Sequence, residues 1–272
     1  MAYLAWRFNL LQASTLALAG IITPLVVATS NAIAPAFAQE RKVAQSNLVV
    51  GTEADYIPFE FRDPASPESG IVGFDIALAN IIADRLGFTI SVQDRPFEEL
   101  LPALQSGELD FAIAAITPTP ERLEMVDFSE VYFESRQALV SRRTSPIRTL
   151  TDLPGNIVAV QSGTIQEQAA LQLQSDGVDI QIEAFEQMKD IVSAVREQRV
   201  DVAFIEELVA EAYLENNPTL ELDVLGEIPS IPLAIAFPKG STYVEPVNEV
   251  IQSLKETGEL QQLAQQWFTA QP

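Results

Sequence analysis

The chain has 272 residues, 47% of them hydrophobic, enough for one or two packed α/β units. Its 16 basic residues face 38 acidic ones, a formal charge of −22, so nucleic acid is repelled over most of the surface and is not an expected partner. With no cysteine and no histidine, the chain lacks a disulfide framework, a thiol nucleophile, a Ser-His-Asp triad and the commonest zinc ligand.

The first forty residues carry one cation, Arg7, then a long apolar stretch with no acid before Glu40. This is the pattern of an export signal, and Ala36 and Ala38 supply the small-x-small site for cleavage before Gln39, making residues 1–38 a removed segment. A retained anchor is the alternative, because Leu10 to Val27 nearly spans a bilayer; Pro24 and the A-F-A site favour cleavage. No cysteine stands at that site to carry a lipid, so the exported, periplasmic chain is expected to be soluble; a monomer is expected, and no metal or other cofactor, since scattered carboxylates in an acidic protein are usually solvated.

From Leu48 onward short β-rich runs alternate with amphipathic helices, which predicts an α/β fold with mostly parallel sheets. "LVVGTE" (48–53) reads as a strand and "FDIALANIIADRLG" (74–87) as a helix with Leu78, Ile81, Ile82 and Leu86 on one face and Gly87 as its stop. "FTISVQ" (88–93) is a second strand, "FEELLPALQSG" (97–107) a second helix and "LDFAIAA" (109–115) a third strand. "TPTPERLEM" follows, with Thr119 as N-cap and Pro120 as first helical residue.

Arg122 then falls in the first turn, where the free N–H groups already make the helix end positive. Its neighbours Thr119, Met125 and Val126 offer no i,i+3 or i,i+4 ion pair, so it either pairs in tertiary structure or awaits an anion.

A second unit opens at "TDLPGNIVAVQSGT" (151–164): strand 157–161, a glycine turn, a helix at "IQEQAALQLQS", then helix "MKDIVSAVREQ", strand "VDVAFI" and helix "ELVAEAYLEN". Residues 100–115 and 191–206 align without a gap, with Asp110 over Asp201 and Ala115 over Glu206, which predicts two related halves. Extended stretches at 132–143 and 228–240 would link two lobes. The C-terminal helices, with Val244, Val247, Ile251, Leu254, Leu260, Leu263 and Trp267 on their apolar faces, would return to dock on the first. The expected lobes are 39–137 plus 233–272, and 138–232.

Open α/β sheets bind ligands beyond the carboxyl ends of their strands, so two such ends facing one another make a cleft with Arg122 opposite Glu206. A guanidinium fork suits a carboxylate and a carboxylate suits an ammonium, which together describe a binder of free α-amino acids. Glu206 has a plainer alternative as one of two acids beginning a helix.

"VVGTEADYIPFEF", "IVGFDIALANIIADRLG", "LLPALQSGELDFAIA", "ITPTPERLEMVDFSEVYFES" and "VAVQSGT" resemble, in series from about Asn47 to Phe268, the extracellular solute-binding proteins that feed polar amino acids to ABC transporters. The resemblance implies a two-lobed periplasmic-binding-protein fold, each lobe a mostly parallel sheet flanked by helices, with two extended hinge strands between them. It implies that ABC transporter permease subunits are the protein partners.

It also assigns Arg122 to the ligand α-carboxylate, helped by Thr117 and by backbone N–H groups of the helix start at Gly163, Thr164 and Ile165. Glu206 stands where the family usually has aspartate for the α-amino group, and Ala115 supplies a main-chain carbonyl. Tyr56 and Phe97 map to the aromatic pair around the ligand side chain, though each could equally be a core or rim aromatic. Glu53 maps to the far end of that side chain, or is an exposed strand-end acid; Gln161 beside it adds no counter-cation. The resulting expectation is Arg, Lys, ornithine or His as ligand, with Gln second. An arogenate or prephenate dehydratase of the same fold is the enzymatic alternative, and a sensor module is the third; only "TAQP" follows Phe268 here.

Overall fold

The computed structural model describes residues 46–63 and 70–268; the expected signal segment and its cleavage site lie outside them. Strand β1 (Asn47–Thr52) begins the first lobe. A small three-stranded sheet follows it, formed by β2 (Asp55–Tyr56), β3 (Glu60–Arg62) and β4 (Ile71–Val72). The sequence pattern did not anticipate it, because its strands are too short to show a period.

Helix α1 (Phe74–Leu86) ends on Gly87 in the left-handed conformation, as its sequence predicts. Strand β5 (Thr89–Asp94), helix α2 (Phe97–Ser106) with Gly107 as its left-handed stop, and strand β6 (Phe111–Ala112) complete a βαβαβ unit. Strand β6 is shorter than the expected 109–115 because the chain leaves the sheet at once: Ala115 has φ +45° and turns into the cleft. Helix α3 (Pro120–Met125) is capped as predicted, with Thr119 Oγ1 accepting from the Arg122 amide at 3.3 Å. Strand β7 (Asp127–Phe128) then precedes the crossing strand β8 (Phe133–Ser135).

The second lobe is built from β9 (Gln137–Arg142), β10 (Ile157–Gln161), α4 (Ile165–Ser175), β11 (Gln181–Phe185), α5 (Met188–Arg196), β12 (Val202–Glu206), α6 (Glu207–Leu214) and β13 (Leu220–Val224). The chain returns through β14 (Ile231–Leu233), antiparallel to β8, and adds β15 (Ala236–Phe237) to the first sheet. Helices α7 (Val244–Thr257) and α8 (Glu259–Phe268) then pack on α1, burying Val247, Ile251, Leu254, Leu260 and Leu263 in the first lobe as expected.

The sheet orders are β5-β1-β6-β15-β7 and β11-β10-β12-β9-β13, each with one strand running against the other four. Both carry apolar cores on both faces, and alternation along a strand sends successive side chains to opposite cores. Val50 and Phe111 point one way and Val49 and Ala112 the other; Ala159 and Val160 part in the same manner.

The predicted internal echo is geometric as well. Asp110 Oδ2 accepts from the Val49 amide at 2.7 Å while its own amide donates to Val49 O, and Asp201 does the same with Ile157 at 2.9 Å. Each aspartate thus clamps a residue of the parallel strand that the strand following it pairs with, Val49 in β1 and Ile157 at the start of β10.

Candidate ligand-binding site

The strand ends converge on a small cavity lined by Glu53, Tyr56, Phe97, Ala114, Ala115, Thr117, Arg122, Gln161, Thr164, Ile165, Gln166 and Glu206. Ten of the eleven residues singled out from the sequence meet here, drawn from both lobes. Gly163 is absent from the lining, for a reason given below.

Arg122 is 6% exposed, deeply placed for a cation. One arm of its guanidinium donates to Thr117 O and the other crosses to Gly163 O, both at 2.9 Å, and its face lies over the Phe97 ring with 5.2 Å to the centroid. Two carbonyl acceptors and a π face spread the charge without cancelling it. Burial pulls its pKa down to about 10, with Glu121 opposing, so it remains a cation at neutral pH.

Glu206 ends β12 and is 2% exposed; its Oε2 has no hydrogen-bond partner. Burial pushes its pKa up to about 8, tempered by the hydroxyls of Ser135 and Tyr56 and reinforced by the charge of Asp75. Its neighbour Glu207 is differently employed, in an ion pair with Arg136, so the two helix-start acids do separate work.

Glu53 is 5% exposed, which rules out a solvated strand-end acid. Gln161 Nε2 donates to its Oε2 at 2.6 Å and to Glu186 O at 3.1 Å, joining the lobes at this end of the cavity. Desolvation raises its pKa to about 8; the Gln161 bond resists and the charges of Asp55 and Asp94 add to the rise.

The turn before α4 departs from expectation at one point. The Gly163 amide, predicted to be free for a ligand carboxylate, donates to Glu167 Oε2 at 2.7 Å. An acid in the first helical turn folds back on the unpaired N-terminal amides, which is favourable for its charge. Gly163 therefore meets the site through its carbonyl, bound to Arg122. Thr164 caps α4, accepting from the Glu167 amide at 3.3 Å and donating to Gln161 O at 2.6 Å.

Two contributors escaped the sequence reading. Asp75, fully buried at the start of α1, accepts from the Ala115 amide at 2.9 Å and from the Tyr132 hydroxyl at 2.8 Å, fixing the left-handed turn at the cavity wall. Burial raises its pKa to about 7 against those hydrogen bonds, and Glu60 beside it is driven well above the usual carboxylate range by desolvation and by Asp75. Gln166 lines the cavity and donates to Gln137 Oε1 at 3.1 Å.

Two sheet-based lobes, joined by paired strands and holding a charged cavity between their strand ends, define the class of two-lobed solute-binding proteins. The sequence profile of the bacterial extracellular solute-binding proteins, family 3, matches residues 48–270, and the chain belongs to that family. It is 38% identical over 229 residues to the arginine-binding extracellular protein ArtP of Bacillus subtilis (strain 168), covering 84% of this chain and 88% of that one. Among solved structures it resembles an ancestral arginine-binding protein bound to arginine, with TM-score 0.76 and 35% identity over 82% of this chain and 99% of that one. It also resembles the arginine-, lysine-, histidine-binding protein ArtJ of Geobacillus stearothermophilus, with TM-score 0.75 and 30% identity over 84% and 97% of the two chains.

Proposed function

We propose that this protein is the substrate-binding component of an amino-acid ABC transporter and closes its lobes over a cationic L-amino acid: arginine, lysine, ornithine or histidine, with glutamine as the weaker choice. The observation that carries the reading is the charge pattern of the cavity, one buried guanidinium and two buried carboxylates. A cationic amino acid presents the complement, one carboxylate and two cations. Arg122 takes the α-carboxylate with Thr117 and the start of α4 at Thr164 and Ile165, while Glu206 and the Ala115 carbonyl take the α-ammonium. Tyr56 and Phe97 flank the side chain, and Glu53 with Gln161 meets its end. Glutamine would leave Glu53 without a counter-charge, and glutamate would meet repulsion there.

The similarity to proteins described as arginine-binding supports the same ligand class. The site is read as one that binds without turnover, working in the periplasm as a monomer that hands its ligand to the membrane permease. Hinge closure is the step a permease would recognise; two-lobed periplasmic binding proteins are a standard instance of this motion.

Titration calorimetry of the mature protein, refolded free of carried-over ligand, tests the reading. Arginine, lysine or histidine is expected to bind tightly and glutamate not at all, while Arg122→Ala stays folded and loses binding by three orders of magnitude or more, about 4 kcal/mol. Retained affinity in folded Arg122→Ala, or preference for glutamate, overturns it.

A further inference from the structure

Asp55 in β2 belongs to the first lobe and Tyr213 in α6 to the second, and neither lines the ligand cavity. The Tyr213 hydroxyl lies 2.6 Å from Asp55 Oδ1 and 2.8 Å from the Asp55 carbonyl oxygen, so one hydroxyl engages both the side chain and the backbone of the opposite lobe.

Helix α5, also in the second lobe, starts after Gln187, whose side chain makes no capping bond. The helix packs beside β2, and while burial raises the Asp55 pKa, the Tyr213 hydroxyl, the Lys189 charge and the backbone of Met188 and Lys189 hold that rise down. Asp55 Oδ2 is buried with no hydrogen bond of its own, so compensation for burying it comes from the positive end of α5 and from Lys189. The uncapped start of α5 thus faces an acid from the other lobe through charge and not through a capping hydrogen bond.

We infer that Asp55 is a closure latch: through its bond to Tyr213 and its charge beside the positive end of α5, it sets how long the lobes stay shut around whatever ligand they hold. The inference rests on the binding-by-closure reading above and adds a positioning residue that never touches the ligand. Opening the lobes would take the Asp55 charge away from the start of α5 and break the tyrosine bond, while the contacts to a bound amino acid remain those of Arg122, Glu206 and Glu53. How long the lobes stay shut and which ligand they prefer are therefore set by different residues.

The test is stopped-flow binding of arginine, lysine and histidine to the wild type, Asp55→Ala, Asp55→Asn and Tyr213→Phe. Asp55→Ala is expected to raise the dissociation rate of every ligand by one common factor of about tenfold, leaving association rates and the ratios between ligands unchanged. Asp55→Asn keeps one side-chain oxygen as an acceptor for Tyr213 but loses the charge facing α5 and Lys189, and should restore only part of the loss; Tyr213→Phe should give a smaller common increase. Unchanged dissociation rates, or increases that differ between ligands, overturn the latch.

Small-angle X-ray scattering of the protein without amino acid reads the same latch independently. Asp55→Ala should have a larger radius of gyration than the wild type, and equal radii count against the latch. If the wild type binds none of the three amino acids, the ligand assignment fails and the scattering comparison alone decides on the latch.

Discussion

Gly163 shows how one residue can be bound to the closed state more than to the fold. Its φ is +75°, and a Cβ there would fall 2.9 Å from the Cβ of Glu98 on α2, in the opposite lobe. Gly163→Ala therefore costs about 1–2 kcal/mol for a left-handed alanine and adds a clash that exists only when the lobes are shut. Calorimetry should find arginine affinity weakened by about tenfold or more, with a melting temperature lowered by only a few degrees; an unchanged Kd would mean that this approach plays no part in closure. At this scale Arg122 was legible because a cation in a first helical turn contradicts local electrostatics. Asp75 was not, since an acid at a helix start looks ordinary there. Its importance comes from the Ala115 amide, forty residues away, and only the tertiary turn brings the two together.

At the scale of elements, the duplicated aspartate clamp gives a direct comparison between lobes. Asp110 and Asp201 each exchange hydrogen bonds with one residue of the strand beside them, Val49 and Ile157. Asp110→Ala and Asp201→Ala should each lower stability by roughly 1.5–3 kcal/mol, the range for a hydrogen bond to a charged group, and by similar amounts. Urea unfolding checks this, and a loss in one lobe only would break the equivalence. The helices of these halves were readable because 3.6-residue periodicity and terminal glycines are local signals. Strands β2, β3 and β4 were not, because two or three residues carry no period, and β6 was overestimated because "FAIAA" stays β-prone through the point where the backbone turns left-handed. Lobe pairing was visible in the linking stretches, the family resemblance and the aligned repeat, which placed Ala115 opposite Glu206 and so put the cavity's two walls in correspondence.

Across the whole molecule, the buried acids tie closure to protons. Glu53 and Glu206 both have pKa values near 8 and Asp75 one near 7, against ordinary values of 4.5 and 3.8, chiefly because burial disfavours their charged forms. A carboxyl whose pKa is raised in the closed fold binds more protons there than when it is hydrated. Its contribution to stability is full below about pH 4 and is lost as pH rises through 7 to 8. The closed, ligand-free protein should accordingly open more readily as pH climbs from 5 to 8.5. A cationic ligand reverses the argument, because an ammonium beside Glu206 and a guanidinium beside Glu53 favour the ionised forms and expel their protons. Arginine binding at pH 7 should therefore release protons, up to one from each carboxyl, while glutamine should release fewer because nothing cationic reaches Glu53. The apparent affinity for arginine should strengthen from pH 6 to 8 by as much as tenfold per unit for each proton released. Calorimetry in buffers of different ionisation enthalpy counts the protons directly, and Glu53→Gln should lower the arginine count towards that of glutamine. A binding enthalpy independent of buffer would mean that both carboxylates are already ionised before the ligand arrives, and that the cavity is held shut by charges it does not need to exchange.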